Sequence, residues 1–387
     1  MLNSSSTLEK KAFSGDGRKA DKASITTASD VPFWKINIGN NETEAVIDAL
    51  KHNRFSMGPI TEQLEAEIAS ALDVPYVLCT TSGTMALLMG CMAMGIGPGD
   101  EVIVPTRTFI ATAHAPHIVG AKVVLADCGV NDVTVDVDAI AAKITSRTKA
   151  IIPVHLNGRP ADMERIMALA HKHGLAVIED SCQGLFGNHP TMGPMGTIGD
   201  CGCFSFSMVK LVATGQGGAI VTRDKEIYDR LYALRNHGVA DVVSHTYLRP
   251  GGNFKFNDLQ ASIGLWQVRD RARKVEHVNA IYHRYMDGLM GLDFISVLPV
   301  DLDNNGVALW TEVMAQNRNR LMDWLAERGI QTRKFTPCCH SAPHFKTEET
   351  FPNSENFDRM GFMLPCGPDM PMTNIDKTIS IIHDYNM

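Results

Sequence analysis

Residues Phe204–Gly218 read "FSFSMVKLVATGQGG" and place one lysine, Lys210, between an apolar, strand-like run and a glycine-rich turn. Most lysines lie on the protein surface, so a solvated loop lysine is one interpretation. The other is a desolvated amine, because burial lowers the pKa of a lysine and a neutral amine can form a Schiff base with a carbonyl. The rest of the sequence has to decide between these two interpretations.

Short apolar runs alternate with helix-like segments on both sides of Lys210. The runs that predict strands are "VPYVLCTTSG" (74–83), "GPGDEVIVP" (97–105), "AKVVLADC" (121–128), "KAIIPVH" (149–155), "GLAVIED" (174–180) and "GAIVT" (218–222). The segments that predict helices are "ETEAVIDALKHN" (42–53), "TEQLEAEIASAL" (61–72), "TMALLMGCMAMG" (84–95), "ADMERIMALAHKH" (161–173) and "DKEIYDRLYALRNHG", which ends at Gly238. This alternation predicts an α/β fold whose mostly parallel sheet is flanked by helices.

The pattern changes along the chain of 387 residues. Residues 1–30 are rich in Ser, Thr, Lys and Gly and are predicted to be a flexible tail. Residues 31–274 carry the strand and helix alternation and are predicted to form a large domain. From residue 275 to 387 the segments become longer helices with fewer strands, which predicts a smaller C-terminal α+β domain.

Composition excludes several functional classes. The net charge is −7 with no Lys/Arg block, so nucleic acid is not the expected partner. No run of about 18 apolar residues predicts a membrane span, and the N-terminus lacks the apolar segment of a secretory signal. The 9 cysteines are scattered and odd in number, which favours a reducing, cytoplasmic location over a disulfide framework.

Asp180 ends the apolar run "GLAVIED" and is the first candidate partner for Lys210. Ligands of parallel sheets bind at the carboxyl ends of the strands, and both residues are expected at that edge. A solvated strand-end carboxylate or a cap for the next turn is the alternative. A buried carboxylate facing a protonated pyridine nitrogen, together with a lysine Schiff base, is what a protein contributes to pyridoxal phosphate (PLP) chemistry.

Four further residues fit a phosphorylated, planar cofactor. Gly83 and Thr84 open a predicted helix whose first N–H groups can bind phosphate, and Ser205 can add a hydroxyl. Phe109 follows another strand end and can stack on a planar ring. Each has a plain alternative, namely an ordinary helix start, a strand serine and a core phenylalanine.

The stretch "CCHSAPH" clusters Cys338, Cys339, His340 and His344. A zinc site usually has better-spaced ligand pairs, so no metal is expected there. The other two notable histidines, His155 and His237, are expected to have structural roles.

Six motifs in sequence order resemble the nucleotide-sugar aminotransferases of the DegT family, over nearly everything after Val31. They are "GIGPGDEVIVP", "ITSRTKAIIPVHLNG", "DMERIMALAHKHGLAVIEDSCQ", "GDCGCFSFSMVKLVATGQGGAIVT", "LRNHG" and "GGNFKFNDLQASIGLWQ". The resemblance implies the fold of the PLP-dependent transferases of fold type I, the aspartate aminotransferase architecture.

The resemblance also implies roles for individual residues. Lys210 would hold PLP, Asp180 would face the ring nitrogen, and Gln183 would lie near the ring hydroxyl. Gly83, Thr84 and Ser205 would hold the phosphate, and Phe109 would stack on the ring. Asn253, in "GGNFKFND", would reach the phosphate of a partner subunit, which implies a homodimer with shared active sites.

Two positions depart from the usual pattern of the family. Gln216 stands where the glycine turn usually has Glu, which removes a charge near Lys210. Arg107 stands where an uncharged residue is common, so it is a candidate for reading part of the substrate, as is His340 near the expected substrate entrance. Lys210 is not replaced by the histidine that is typical of dehydratases in this family.

The resemblance therefore implies a PLP-dependent aminotransferase that moves an amino group from L-glutamate to a keto sugar, most naturally one linked to a nucleotide. Three alternatives remain open at this stage. They are a keto substrate without a nucleotide, another PLP reaction such as that of an aldolase or dehydratase, and a non-catalytic regulatory or binding protein on the same fold.

Overall fold

The structure is a computed structural model that describes residues 30–239 and 246–385. The predicted N-terminal tail therefore lies, except for Asp30, outside the described residues. Within the described ranges, no helix is both long and apolar enough to cross a membrane.

A mixed sheet of seven strands forms the centre of the molecule. Its strands are β1 (Tyr76–Thr80), β2 (Glu101–Pro105), β3 (Lys122–Ala126), β4 (Thr148–Ile151), β5 (Ala176–Asp180), β8 (Cys201–Ser205) and β9 (Gly218–Thr222). The spatial order is β1-β9-β8-β5-β4-β2-β3, and only β9 runs antiparallel to its neighbours. Between β5 and β8 the chain forms a small hairpin of β6 (Asn188–His189) and β7 (Gly193–Pro194).

Helices cover this sheet. They are α1 (Asn40–Lys51), α2 (Pro59–Leu72), α3 (Gly83–Ala93), α4 (Ala111–Ile118), α5 (Val137–Ala141), α6 (Met163–His173), α7 (Lys225–Arg235) and α8 (Asp258–Arg269). This arrangement confirms the predicted α/β fold, in which a mostly parallel sheet is flanked by helices.

Local sequence explains where these helices begin and end. The carboxylate of Asp162 accepts a hydrogen bond from the N–H of Arg165 at 3.1 Å and so caps α6, and Gly174 ends it in the left-handed conformation at φ +64°. The last helical residue of α7 is Arg235, three residues before the predicted Gly238. Gly238 still closes this helix end, because it has a left-handed backbone at φ +86° and its N–H donates to the carbonyl of Ala233 at 2.7 Å.

A second sheet and four helices follow. Strands β10 (Ile295–Val297), β11 (Glu312–Ala315), β12 (Arg333–Lys334) and β13 (Gly361–Met363) pair antiparallel in the order β10-β11-β13-β12. The helices are α9 (Arg271–Leu289), α10 (Arg318–Glu327), α11 (Pro352–Met360) and α12 (Met372–His383). Val31 packs into the apolar core of this part and pairs with Ile330. The predicted domain boundary at residues 274/275 falls inside α9 and stays a prediction.

Pairing within the main sheet positions the strand ends that carry polar residues. Gly218, the first residue of β9, pairs with Thr80 at the end of β1 and with Ser205 at the end of β8. A Cβ atom on Gly218 would lie 2.6 Å from the backbone nitrogen of Gly83. Glycine at this position therefore lets the N-terminus of α3 approach the loop that carries Lys210.

Candidate active site

A cavity of about 380 Å³ opens at the carboxyl edge of the parallel strands. Most of the predicted site residues line it, namely Gly83, Thr84, Arg107, Phe109, Asp180, Gln183, Ser205 and Lys210. Asn253 and His340 are not among the residues that line it. The structure thus brings together residues from strand ends and loops that lie far apart in sequence.

Lys210 lies in the loop between β8 and β9, in a turn that its N–H fixes by donating to the carbonyl of Ser207 at 3.0 Å. Burial lowers the pKa of its amine, while the nearby Cys182 and Asp180 partly oppose that shift. The Nζ atom lies 4.8 Å from the centre of the Trp310 ring. The solvated-lysine interpretation therefore does not hold, and Lys210 is an amine with an increased neutral fraction.

Asp180 is 4% exposed at the end of β5. Its Oδ2 atom accepts a hydrogen bond from the hydroxyl of Thr112 at 2.7 Å, and Oδ1 accepts one from the N–H of Cys182 at 3.1 Å. Both donors are neutral, so they orient the carboxylate without compensating its charge. A buried carboxylate of this kind is suited to a cationic ligand atom.

Gln183, three residues after Asp180, is buried, and Asn157 fixes its side chain. Its Oε1 atom accepts a hydrogen bond from the N–H of Asn157 at 3.0 Å. Asn157 has a left-handed backbone at φ +53°, and its Oδ1 atom is buried without a hydrogen-bond partner. An unpaired buried acceptor lining a cavity indicates a donor group on a ligand.

The N-terminus of α3 forms a tight cradle. Ser82 caps the helix by accepting from the N–H of Met85 at 3.2 Å, so the N–H groups of Gly83 and Thr84 have no partner within the helix. A Cβ atom on Gly83 would lie 2.7 Å from Sγ of Cys182 and 2.9 Å from Cβ of Ser205. Glycine is needed for this approach, and the resulting donors suit a phosphate.

Phe109 is 53% exposed and lines the cavity. The core-phenylalanine alternative is therefore wrong for this residue. An aromatic face open to a cavity is suited to stacking on a planar ring.

Arg107 is buried beside the cavity, where its Nη2 atom donates to Oε1 of Glu312 at 3.4 Å. Its guanidinium also lies over the ring of Phe335, with 4.4 Å between Cζ and the ring centre. The substrate role that the sequence suggests for Arg107 stays a prediction, but its position at the cavity wall is compatible with it.

Asn253 and His340 lie elsewhere in the single chain. Asn253 is exposed. Nδ1 of His340 forms a 2.7 Å hydrogen bond with Oγ1 of Thr106, and its ring stacks on Phe351 at 4.8 Å between centres. His340 is thus held by Thr106, the residue that follows β2, and by the Phe351 ring.

Other histidines have separate surroundings. His155 is fully buried and pairs through Nε2 with Oε2 of Glu179 at 2.8 Å. Among residues 30–239 and 246–385, no group of three or more His, Cys, Asp or Glu side chains has a geometry that could hold a metal ion.

The profile of the DegT/DnrJ/EryC1/StrS aminotransferase family matches residues 36–383. The chain belongs to this family. It is accordingly an aminotransferase, and its cofactor is pyridoxal phosphate.

Two curated relatives and one solved structure illustrate the similarity. A UDP-N-acetyl-3-dehydro-alpha-D-glucosamine 3-aminotransferase from Acidithiobacillus ferrooxidans is 49% identical over 332 residues, which cover 85% of this chain and 89% of the relative. A dTDP-3-amino-3,4,6-trideoxy-alpha-D-glucose transaminase from Streptomyces venezuelae is 33% identical over 92% of this chain and 96% of its own. The crystal structure of S. venezuelae DesV superposes with a TM-score of 0.87 at 31% identity, covering 92% of this chain and 98% of that one.

The site of this aminotransferase fits its cofactor on three independent observations. The start of α3 at Gly83 offers N–H donors that suit a phosphate, and Phe109 offers an exposed ring face. Asp180 offers a buried carboxylate that can face a pyridinium nitrogen. When bound, pyridoxal phosphate supplies an aldehyde that accepts an amino group and a ring that withdraws electrons.

Sequence analysis missed several cavity residues. They are Asn157, which fixes Gln183, and the residues Trp310, Glu312, Arg333 and Phe335 from the C-terminal part. Thr112, which donates to Asp180 without lining the cavity, was missed as well. Thr112 lies in the stretch "PTRTFIAT" that drew attention for Phe109, but nothing in one sequence shows that its hydroxyl meets Asp180. The C-terminal residues carry no local motif at all.

Proposed function

We propose that this aminotransferase moves an amino group from L-glutamate to the ketone of a nucleotide-linked sugar. The observation that carries the proposal is the placement of Lys210 and Asp180 on one cavity beside the Gly83 cradle. The two curated relatives described above have nucleotide-linked sugars in their names, which supports a substrate of the same class.

In this proposal Lys210 is the catalytic residue that moves protons. Burial lowers the pKa of its amine, which favours the neutral form that Nζ needs to accept a proton. The same Nζ then returns the proton at a neighbouring atom of the reacting group. The Trp310 ring, 4.8 Å from Nζ, stabilises the transient ammonium by a cation–π contact.

The remaining residues bind and orient. Asp180 holds the cofactor ring through its nitrogen and is kept in place by Thr112, while Gln183 contacts the ring hydroxyl. Gly83, Thr84 and Ser205 bind the phosphate, and Phe109 covers the ring face and excludes water from it. A fixed negative charge at Asp180 stabilises electron withdrawal into the ring, because the charge is buried and preorganised.

Two further features belong to the proposal. The active unit is a homodimer in which the exposed Asn253 of one subunit completes the phosphate site of the other. The protein acts in the cytoplasm, which the free state of all its cysteines supports.

The test is an amino-transfer assay with L-glutamate and a panel of keto sugars, each offered both free and linked to UDP, dTDP or GDP. We expect release of 2-oxoglutarate that depends on a nucleotide-linked member of the panel. Equal rates with the matched free sugar would remove the nucleotide from the proposal. No release with any acceptor, despite bound cofactor, would contradict the proposed reaction.

A further inference from the structure

Two residues of the cavity wall, Arg107 and Glu312, belong to a buried cluster of two cations and one anion, and its third member, Arg159, lies outside the lining. Arg107, Arg159 and Glu312 are 4%, 8% and 1% exposed, respectively, and Glu312 is the shared partner of both guanidinium groups. Among these three residues one positive charge is left over. Burying an uncompensated charge is costly, so such an excess calls for a further anion.

The excess charge belongs to Arg107 rather than to Arg159. Arg159 donates to Oε2 of Glu312 at 2.5 Å and to the carbonyls of Pro299 and Leu298 at 2.7 and 3.1 Å, so each of its three guanidinium nitrogens has an acceptor. Arg107 reaches Glu312 through one long contact of 3.4 Å, and its Nε atom is buried without a partner.

The surroundings of Arg107 also allow its guanidinium to exchange Glu312 for another anion. Its Cζ atom lies 4.4 Å from the ring centre of Phe335 and 5.4 Å from that of Phe357, and flat aromatic faces support a guanidinium without fixing its hydrogen bonds. If Arg107 turns away from Glu312, the carboxylate keeps its closer partner, Arg159. The exchange therefore leaves no buried anion unpaired.

The two substrates of the proposed reaction differ in where they carry charge. An amino-acid donor has a carboxylate on the same carbon as its reacting amine. A nucleotide-linked sugar carries its charge on the diphosphate, remote from a neutral keto carbon. One cavity must therefore accept an anion next to the reacting atom in one half of the cycle and none in the other half.

We propose that Arg107 binds a carboxylate of the amino-acid donor, and that Glu312 takes the place of this carboxylate whenever the sugar occupies the cavity. This inference rests on the proposed function. A guanidinium fork matches a carboxylate in two parallel hydrogen bonds, which Glu312 at its present distance does not provide. Arg333, the other arginine that lines the cavity, is exposed and lies over Phe33, so it is a rim residue rather than the buried acceptor.

The experiment uses Arg107→Gln in the holoenzyme, with Arg333→Gln as the matched control. Glutarate, a dicarboxylate that cannot react, is titrated against cofactor absorbance, and the two half-reactions are then followed separately with L-glutamate and with the keto sugar. In Arg107→Gln we expect the dissociation constants of glutarate and L-glutamate to rise about tenfold to hundredfold, the range for a charged hydrogen bond, with little change for the sugar.

Three results would overturn the inference. They are unchanged glutarate binding, a defect confined to the sugar half-reaction, or an equal loss in Arg333→Gln, which would mean that general cavity charge is responsible. A wild-type enzyme that is inactive with every acid donor contradicts the proposed function instead, so the two failures are distinguishable. Should Arg107→Gln not fold, Arg107→Lys keeps the charge but loses the fork, and it must show the same selective loss of glutarate affinity.

Glu312→Gln tests the exchange itself. Without the competing carboxylate, Arg107 is free, so glutarate should bind as tightly as to the wild type or more tightly, while the sugar half-reaction weakens. Weaker glutarate binding in Glu312→Gln, with an unchanged melting temperature, would contradict the role of Glu312.

Discussion

The hydroxyl of Thr112 donates a hydrogen bond to Oδ2 of Asp180 at 2.7 Å and so joins the first turn of α4 to the end of β5. Oγ1 of Thr108 lies 2.9 Å from the same hydroxyl. Because an ionised acceptor attracts the proton of Thr112 most strongly, Thr108 is left to donate to Thr112, and the two hydroxyls form a relay toward the carboxylate. The carboxylate of Asp180 is thereby oriented by α4, the helix that begins two residues after Phe109.

Replacing Thr112 tests this orientation. In Thr112→Val the shape is kept but the donor is lost, which removes one hydrogen bond to a charged group, an interaction typically worth about 1.5–3 kcal/mol. We expect kcat of amino transfer to fall roughly tenfold, while Thr112→Ser retains most activity. Equal activity of the Val and Ser variants would show that the bond does not serve the reaction.

Borohydride reduction of the holoenzyme identifies the lysine that carries the cofactor. Lys210 and Lys274 are both lysines whose pKa is lowered by burial, so Lys274 is the matched comparison. We expect the label on the peptide of Lys210, and Lys210→Ala should reduce turnover by roughly 10²- to 10⁴-fold because proton transfer is lost. A label on Lys274, or normal turnover of Lys210→Ala, would assign the chemistry to another residue.

Gly83→Ala tests the phosphate cradle. The added Cβ atom would lie 2.7 Å from Sγ of Cys182 and 2.9 Å from Cβ of Ser205, so the start of α3 must shift. Overpacking of this kind costs roughly 1–3 kcal/mol, and we expect PLP to bind at least about tenfold more weakly in a titration of the apoenzyme. Gly97→Ala is the control, since its nearest neighbour would be 3.9 Å away. Similar losses in both variants would point to stability rather than to the cradle.

The main sheet, and the meeting of several site residues at one edge of it, follow from short-range patterns in the sequence. Apolar runs that end in small or acidic residues predicted the strands, and their shared edge predicted that Asp180, Gly83 and Lys210 meet at one cavity. These predictions hold because strand direction and burial are encoded locally. Gly238 closes the end of α7 as predicted, but the pairing of Asn236 with Asn253, a contact between distant segments, could not be read from the local pattern.

The C-terminal contribution was not predictable from one sequence. Glu312 begins a strand and Trp310 precedes it in a loop, and neither position has a spacing that signals a role. Arg107 was noticed only because it stands where the resembling family commonly has an uncharged residue. What gives it meaning, the unequal sharing of Glu312 with Arg159, exists only in the folded chain.

Lys274 makes the stability of the fold depend on pH. Its amine is buried, donates to the carbonyl of Leu211 at 3.4 Å, and has its pKa lowered to about 8 by desolvation. An unfolded lysine has a pKa of about 10.4, so between these values the unfolded chain holds a proton that the folded chain has lost. The free energy of unfolding should therefore rise with pH across this window, with a slope of up to about 1.4 kcal/mol per pH unit. Below about pH 8 both states hold the proton, so the contribution of Lys274 is unfavourable but constant with pH.

Lys274→Met removes this contribution and isolates it from other groups that titrate in the same range. Urea unfolding of both proteins from pH 7 to pH 10 measures the difference between them. The advantage of the wild type should grow, or its disadvantage shrink, as the pH increases. A difference that is constant with pH would show that Lys274 keeps an ordinary pKa in the folded state.

The proposed dimer makes a prediction about mixed subunits. Lys210→Ala removes the catalytic amine of its own subunit, and Asn253→Trp blocks the phosphate contact that the exposed Asn253 would make with its neighbour. If each site combines Lys210 of one subunit with Asn253 of the other, a mixed dimer has one site with both lesions and one with neither. Mixing two inactive parents should therefore restore activity, up to half of the wild-type rate per mixed dimer.

Chain exchange must be verified independently, for example by energy transfer between labelled subunits. Asn319→Trp is the control, because Asn319 is an exposed asparagine on α10 and does not line the cavity. The Asn319→Trp variant should be active alone. After mixing with Lys210→Ala, the activity should be no higher than the amount of Asn319→Trp protein in the mixture accounts for. A fully active monomer in sedimentation would exclude a shared site. So would an absence of rescue after proven exchange with an inactive Asn253→Trp parent, because an intact hybrid pocket is then present but does not react.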